Sequence, residues 1–243
     1  MRDLGIALFA VALAALGVET MACAHLATHV LGPRFVVVPV LPFLPPNPWI
    51  CYPFGVFLAV CAAALLRPYT RSIAAPAVAA LFLACALLVD VPKHNGRTVI
   101  FEPLAIAALA LLIPGGDLPK WLRASARLLL AACLIVFGVD HFLALDLVAS
   151  LIPAWIPWHL GWAAFFGAAF IAAGLALLTR YLEREAAGGV ALMYAVWVVT
   201  LHLPRTLGLY GIPGAIRDPA EWSSLFIAIA LCGGALAFAY GDG

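Results

Sequence analysis

Two stretches of the chain decide how the rest is interpreted: AAPAVAALFLACALLVDVPK at residues 74–93 and AAGGVALMYAVWVVTLHLPR at residues 186–205. Each is an apolar run that closes on an ionisable residue, a proline and a cation. The closing strings are Asp90-Val91-Pro92-Lys93 and His202-Leu203-Pro204-Arg205, separated by 112 residues. Because ionisable groups are costly at a membrane helix end, their recurrence predicts a duplicated helical unit with a polar site at its rim.

The composition excludes an ordinary soluble protein. Of the 243 residues, 66% are apolar and only 10% are charged, with a mean hydropathy of +1.10. A soluble domain is about half apolar and about a quarter charged. The net charge of +1 and the absence of a basic stripe give no indication of nucleic-acid binding. We therefore predict an all-α polytopic membrane protein whose solvent is the lipid bilayer, since the apolar runs are continuous rather than alternating.

Eight apolar segments each approach the ~20 residues that cross the hydrocarbon. They cover residues 4–24, 49–66, 73–91, 99–114, 127–146, 161–179, 187–203 and 222–240. Clustered prolines between residues 39 and 48, and again from Leu151 to Trp158, predict non-helical connections at the interface. One set of ends and loops carries eight Lys and Arg residues and the other carries five. The positive-inside rule then places both termini in the cytoplasm.

An offset of 112 aligns residues 29–93 with the second half without a gap. The rarer residues fall in register, namely His29 with His141, Pro92 with Pro204, Lys93 with Arg205 and, after seven inserted residues, Glu102 with Glu221. Four helices in each unit give both copies the same orientation, so the repeat is parallel. We predict a first four-helix repeat at residues 1–115 and a second at 116–243. The same offset sets Glu19 opposite Ala131, which leaves this carboxylate without a predicted counterpart.

Ionisable residues collect at one edge of each half. The second-half cluster is Asp140, His141, His202, Arg205 and Glu221, and its first-half counterparts are His29, Asp90, Lys93 and Glu102. Such groups normally face one another at membrane depth, so the second-half cluster is the predicted ligand site, on the outer side. The alternative for Lys93 and Arg205 is simple anchoring at the interface.

Metal and cofactor motifs are sparse. His25 and His29 share a helix face at a spacing of four, but no third ligand accompanies them, so we predict no metal site. His141 and His202 lie on different helices at similar depth, as two axial haem ligands would, and haem stays an alternative. The six cysteines form no CxxC pair. No nucleophile elbow, HExxH or dinucleotide fingerprint is present, so the motifs assign no reaction.

The second half resembles a known family. The residues that carry the resemblance occur in this order: Gly138-Val139-Asp140-His141-Phe142, Ile152-Pro153, Ile156-Pro157, Gly167, Gly174-Leu175-Ala176-Leu177-Leu178, Arg184, Ala186-Ala187, His202-Leu203-Pro204-Arg205 and Glu221-Trp222-Ser223-Ser224. Together they are similar to the DoxX-like family of four-helix bacterial membrane proteins over residues 127–240. The first half resembles the family only through the repeat, with VPK in place of HLPR.

This resemblance implies a link to quinone or redox chemistry. Founding members of the family resemble or accompany membrane subunits of thiosulfate:quinone oxidoreductases, and relatives act as assembly helpers for other membrane proteins. We expect a multi-pass protein of the bacterial inner membrane that binds a small amphipathic, quinone-like ligand beside another membrane or redox protein. A non-catalytic scaffold or assembly factor is the alternative, and a small-solute transporter is the third hypothesis.

Overall fold

A computed structural model describes residues 1–26, 48–92, 97–113, 115, 118–211 and 215–241, apart from the side chains of residues 23–26, 48, 89, 90 and 215. These ranges are helical, with turns and without a strand. The helices are α1 (Arg2–Leu26), α2 (Pro48–Leu65), α3 (Arg71–Cys85), α4 (Arg97–Leu112), α5 (Lys120–Leu143), α6 (Leu145–Leu151), α7 (His159–Thr179), α8 (Glu183–Trp197), α9 (Leu203–Thr206) and α10 (Pro219–Ala239). The all-α prediction is confirmed for the described ranges.

Six helical stretches are long and apolar enough to span a bilayer. They are Arg2–Ala22, Pro68–Leu88, Lys120–Leu143, His159–Thr179, Glu183–Thr206 and Pro219–Ala239. The other two predicted spans correspond to shorter helices, because α2 has 18 residues and α4 has 16. A polytopic membrane protein is therefore compatible with the fold, and the count of eight spans stays a prediction.

Helix packing forms two rings that share their central pair. In the first ring α1 packs on α2 and α10, while α3 packs on α2 and α4. In the second ring α5 packs on α7 and α4, while α8 packs on α7 and α10. The shared helices α4 and α10 also contact each other, and α10 is the most buried of the six long spans. The last helix of each predicted half thus packs against helices of both halves.

Element boundaries recur at the predicted offset. Adding 112 to the bounds of α3 gives those of α8, and the same shift converts the π-helical segment Ala86–Asp90, the first π segment, into Val198–His202, the second π segment. A π turn lengthens the backbone hydrogen bond to i→i+5 and is rare. It occurs here at matching positions, 112 residues apart, while the predicted repeat and its division at residue 115 stay predictions.

Glycine contacts set a different register for the first helix of each half. A Cβ on Gly17 of α1 would lie 2.6 Å from the carbonyl oxygen of Gly55, and a Cβ on Gly138 of α5 would lie 2.5 Å from that of Gly167. Because Gly55 and Gly167 are 112 residues apart but Gly17 and Gly138 are 121 apart, Gly17-Val18-Glu19 occupies the position of Gly138-Val139-Asp140. Glu19 therefore packs like Asp140 and not, as the uniform offset predicts, like Ala131.

The predicted non-helical connection is confirmed for residues 152–158, which follow α6 without helical structure. Its tryptophans Trp155 and Trp158 are largely exposed, as an aromatic belt requires. The proline-rich stretch at residues 39–48 lies outside the described residues except for Pro48. Five cysteines are buried among the helices, as expected for small apolar fillers, namely Cys51, Cys61, Cys85, Cys133 and Cys232.

Candidate functional site: a polar-ended cavity between the two halves

The second π segment shapes one wall of the site. The backbone N–H of Leu203 donates to the carbonyl of Val198, five residues earlier. In a regular α-helix, residues five apart point about 140° away from each other. The i→i+5 turn instead brings Trp197 and His202 to the same side of the helix, and both side chains line one cavity.

Pro204 explains part of this local geometry. Proline has no N–H, so the Thr200 carbonyl, four residues earlier, loses its ordinary helical donor. The Tyr210 hydroxyl donates a hydrogen bond to that carbonyl instead. The helix ends soon afterwards, where Gly208 adopts a positive φ of 72° and its N–H donates to Arg205 O at 2.9 Å. The family-like string His202-Leu203-Pro204-Arg205 therefore ends a span while holding His202 in the wall.

The end of α5 supplies the facing wall. The side chain of His141 is fixed by a hydrogen bond of 2.8 Å from Nδ1 to the carbonyl oxygen of Phe137. Since that carbonyl can only accept, Nδ1 carries the proton, and Nε2 of the neutral ring is left as an acceptor. The ring stacks on Trp197 with a centroid distance of 5.7 Å and an interplanar angle of 13°, and it meets the edge of Phe170 at 5.3 Å.

Asp140 is held by the other half of the chain. Its Oδ1 lies 2.7 Å from Nη2 of Arg97, an ion pair whose angles do not meet those of a hydrogen bond. Its Oδ2 accepts a hydrogen bond of 3.3 Å from Thr98 Oγ1. The carboxylate is largely buried, with 16% of its side chain exposed, whereas Arg97 is 57% exposed. Both partners belong to α4, so the polar end of the site exists only when the two halves are packed together.

These walls enclose a cavity of about 680 Å³, within the usual range for small-molecule sites. Its polar lining comprises Thr98, Glu102, Asp140, His141, Thr200, His202 and Ser224. Its aromatic lining comprises Phe137, Trp155, Trp162, Phe166, Tyr194 and Trp197. Leucine, isoleucine, valine and proline side chains from residues 147–156 close another side. A mainly apolar space with ionisable groups on its wall suits an amphipathic molecule.

Arg205 and Glu221, which were predicted in the same cluster, form a pair beside the cavity. Nε of Arg205 donates to Glu221 and lies 2.7 Å from each carboxylate oxygen. Thr206 reinforces the corner, since its hydroxyl donates to the carbonyl oxygens of His202 at 2.8 Å and Glu221 at 3.1 Å. Neither Arg205 nor Glu221 lines the cavity. The pair instead fastens the end of the second π segment to α10.

The first-half cluster is only partly described. His29 and Lys93 lie outside the described residues, as does the side chain of Asp90, whose backbone closes the first π segment. Their assignment stays a prediction. In the packing register of α1, Thr20 occupies the position of His141. Glu102 is brought to the second-half cavity together with Asp140, His141 and His202, although the sequence assigned it to the first-half cluster.

No group of three His, Cys, Asp or Glu side chains that could hold a metal occurs within the described residues. His141 and His202 line the same cavity, as the haem alternative requires, and that alternative stays a prediction.

Sequence reasoning missed three features of the site. The aromatic residues of the wall lie within apolar runs, and the periodicity of those runs predicts burial but not which side chains line a cavity. The contribution of Thr98 from α4 depends on how the halves pack. The likeness of Gly17-Val18-Glu19 to Gly138-Val139-Asp140 was present in the sequence, but the uniform offset concealed it.

Comparison with known proteins adds no assignment, because no family model, no curated protein and no solved structure matches this chain.

Proposed function

We propose that this chain is a bacterial inner-membrane protein of the DoxX-like type that binds a quinone-like amphipathic ligand in the cavity between its halves. In this proposal eight helices cross the membrane as two parallel four-helix repeats, with both termini in the cytoplasm and the cavity at the outer side. One observation carries the proposal. A single cavity of about 680 Å³ unites Asp140, His141 and His202 with an aromatic wall.

The polar wall fits a ligand headgroup that both donates and accepts hydrogen bonds. His141 presents Nε2 as an acceptor, because Nδ1 is occupied by the Phe137 carbonyl. His202 provides a second imidazole, and no side-chain hydrogen bond to it is found within the described residues. A neutral imidazole donates one hydrogen bond and accepts another. A quinol hydroxyl or a quinone carbonyl placed here would find a partner of the right kind.

The aromatic and apolar walls fit the rest of such a ligand. Trp197 packs edge-on against Phe166 at 5.1 Å and Tyr194 at 5.6 Å, so its plane is fixed. Offset stacking between flat rings contributes about 0.5–1.5 kcal/mol beyond the burial of area. The aliphatic side chains of residues 147–156 offer a surface for an isoprenoid or acyl tail. In this proposal the ring of the ligand stacks on the aromatic side chains, and its tail packs against the aliphatic side chains.

In this proposal the electrons of a bound quinol pass to another protein. The proposal therefore includes a membrane or redox partner, as the family resemblance implies. It assigns this chain ligand binding and proton exchange at the two imidazoles, and it assigns no catalytic residue.

The test is a titration of the purified protein, in mild detergent, with a short-chain ubiquinone. Binding should quench tryptophan fluorescence, because Trp155, Trp162 and Trp197 line the cavity. We expect His202→Ala and His141→Ala each to raise the Kd about tenfold, as the loss of ~1.4 kcal/mol does. His159→Ala is the matched control, because His159 does not line the cavity, and it should leave the Kd unchanged.

Two outcomes would overturn the proposal. Saturable quenching that all three histidine variants retain would place the ligand elsewhere. The absence of saturable quenching in the wild-type protein would favour the scaffold or assembly-factor hypothesis. In that case, variants of the cavity should change the recovery of a partner protein and not any ligand-dependent signal.

A further inference from the structure

A second carboxylate lies across α10 from the cavity. Glu19 is on α1, near the end of the span Arg2–Ala22. Its Oε1 is 2.5 Å from the hydroxyl of Ser223, which is fully buried. Its Oε2 is buried and has no hydrogen-bond partner among the described residues. The next residue of α10, Ser224, lines the ligand cavity. One helix thus separates this carboxylate from the cavity.

Among the described residues, no cation lies where it would compensate a negative charge on Glu19. Of the two helices that pack on α1, α2 carries no acidic or basic residue. The other, α10, carries only Glu221, which Arg205 already pairs, and Asp218 caps its first turn by accepting from the Ala220 N–H at 2.9 Å. Arg2 and Asp3 lie at the far end of α1, about 25 Å away at 1.5 Å per residue. The side chain of His25, further along α1, is outside the described part of the chain.

Asp140 provides the internal comparison, since it occupies the same packing position in the second half. Asp140 has Arg97 at 2.7 Å and Thr98 at 3.3 Å, so both of its oxygens have partners. Glu19 has one serine and, within the described residues, no cation. An ionised carboxylate is costly to bury without a cation and further donors, and such a group keeps its proton instead. The two carboxylates in equivalent packing positions thus have different electrostatic surroundings, because only Asp140 has a cation beside it among the described residues.

We propose that Glu19 is a proton-binding site, held as a neutral carboxylic acid against Ser223 in the seam between α1 and α10. The distance of 2.5 Å fits an acid that donates to the serine hydroxyl as well as a hydroxyl that donates to the carboxyl group. The charge state is inferred from the lack of a compensating cation among the described residues, rather than from this distance. The ligand of the site is the proton itself, and the site does not depend on what occupies the cavity.

Infrared spectroscopy of the full-length protein, recorded at neutral pH in H₂O and in D₂O, tests this directly. A protonated side-chain carboxyl group gives a C=O stretching band that ionised carboxylates lack and that shifts on deuteration. We expect this band in the wild type and its loss in Glu19→Gln, an isostere that keeps an oxygen facing Ser223. Asp140→Asn is the matched control and should retain the Glu19 band, because Asp140 is paired with Arg97.

Ser223→Ala provides a second variant that keeps the carboxylate. It removes the one hydrogen-bond partner of Glu19 among the described residues, so the carboxyl band should persist at a shifted frequency. Wild-type protein without the band, or an unchanged band in folded Glu19→Gln, would overturn the proposal.

Discussion

Arg97 and Asp140 lie 2.7 Å apart although their helices, α4 and α5, belong to opposite predicted halves of the chain. The reciprocal contact joins Glu19 of α1 to Ser223 of α10. In each case the carboxylate near the end of a half's first helix is held by the last helix of the other half. The cavity lined by Asp140 and Thr98 is consequently formed only when the two halves pack together.

Removing the Arg97 side chain tests this contact. We expect Arg97→Gln to raise the Kd of a short-chain ubiquinone about two- to tenfold, because Asp140 loses the group that orients it. The free energy of unfolding should change by less than about 1 kcal/mol, since Arg97 is more than half exposed. Arg217→Gln, at an exposed arginine outside the cavity, is the control for both measurements. A variant that binds normally would show that Asp140 needs no partner.

Separate expression of the two halves tests whether each half depends on contacts with the last helix of the other. Residues 1–115 and 116–243, produced as two chains in the same cells, should co-purify and bind the quinone. Each alone should aggregate or be degraded, because α1 packs on α10 and α5 packs on α4. Pull-down through a tag on one half measures this. Either half behaving as a stable, monodisperse protein by itself would argue against the shared central pair.

Close contact between α5 and α7 sets the position of His141. A Cβ on Gly138 would lie 2.5 Å from the Gly167 carbonyl oxygen, a backbone atom that cannot move aside cheaply. We expect Gly138→Ala to lower the free energy of unfolding by about 1–3 kcal/mol. Gly189→Ala in α8 is the control, because no atom lies within 4 Å of its added Cβ. That control should be stabilising by about 0.5–1 kcal/mol, and equal effects of the two changes would refute the close approach.

Arg205 and Glu221 should act on stability rather than by touching the ligand. Arg205→Met leaves Glu221, which is 12% exposed, without its cation. We expect a loss of about 1–3 kcal/mol in the free energy of unfolding, less than for a fully buried pair because Arg205 is 32% exposed. Arg205→Met combined with Glu221→Leu should recover most of the loss. If the double variant is additive, the pair contributes no coupling energy and its anchoring role is wrong.

Sequence alone predicted the helical class and grouped Asp140, His141 and His202, which line one cavity, because long apolar runs and rare polar residues are conspicuous. The matching halves inferred from the spacing of Pro92 and Pro204 stay a prediction. The sequence did not predict that α4 packs against α5 of the second half, because hydropathy does not indicate which apolar helices pack together. The register of Glu19 was missed because one offset was applied to helices joined by connections of different lengths.

The same limit applies to the π segments. A run such as Val198–His202 has the composition of any apolar helix, and only the hydrogen bond from Leu203 to Val198 distinguishes it. That turn brings His202 and Trp197 to the same cavity. The sequence therefore predicted some residues of the site, but not that they line one cavity. The aromatic wall, which gives the cavity its proposed preference for a flat ring, follows only from the packing.

Photolabelling tests the central claim, ligand binding in the cavity between the halves, most directly. Purified protein is irradiated with a photoreactive short-chain quinone, and the modified residues are identified by mass spectrometry with and without excess unlabelled ubiquinone. We predict competable labelling of the α5 end near His141 and of the second π segment at Val198–His202. Labelling that maps elsewhere, or that excess ubiquinone does not reduce, would contradict the account.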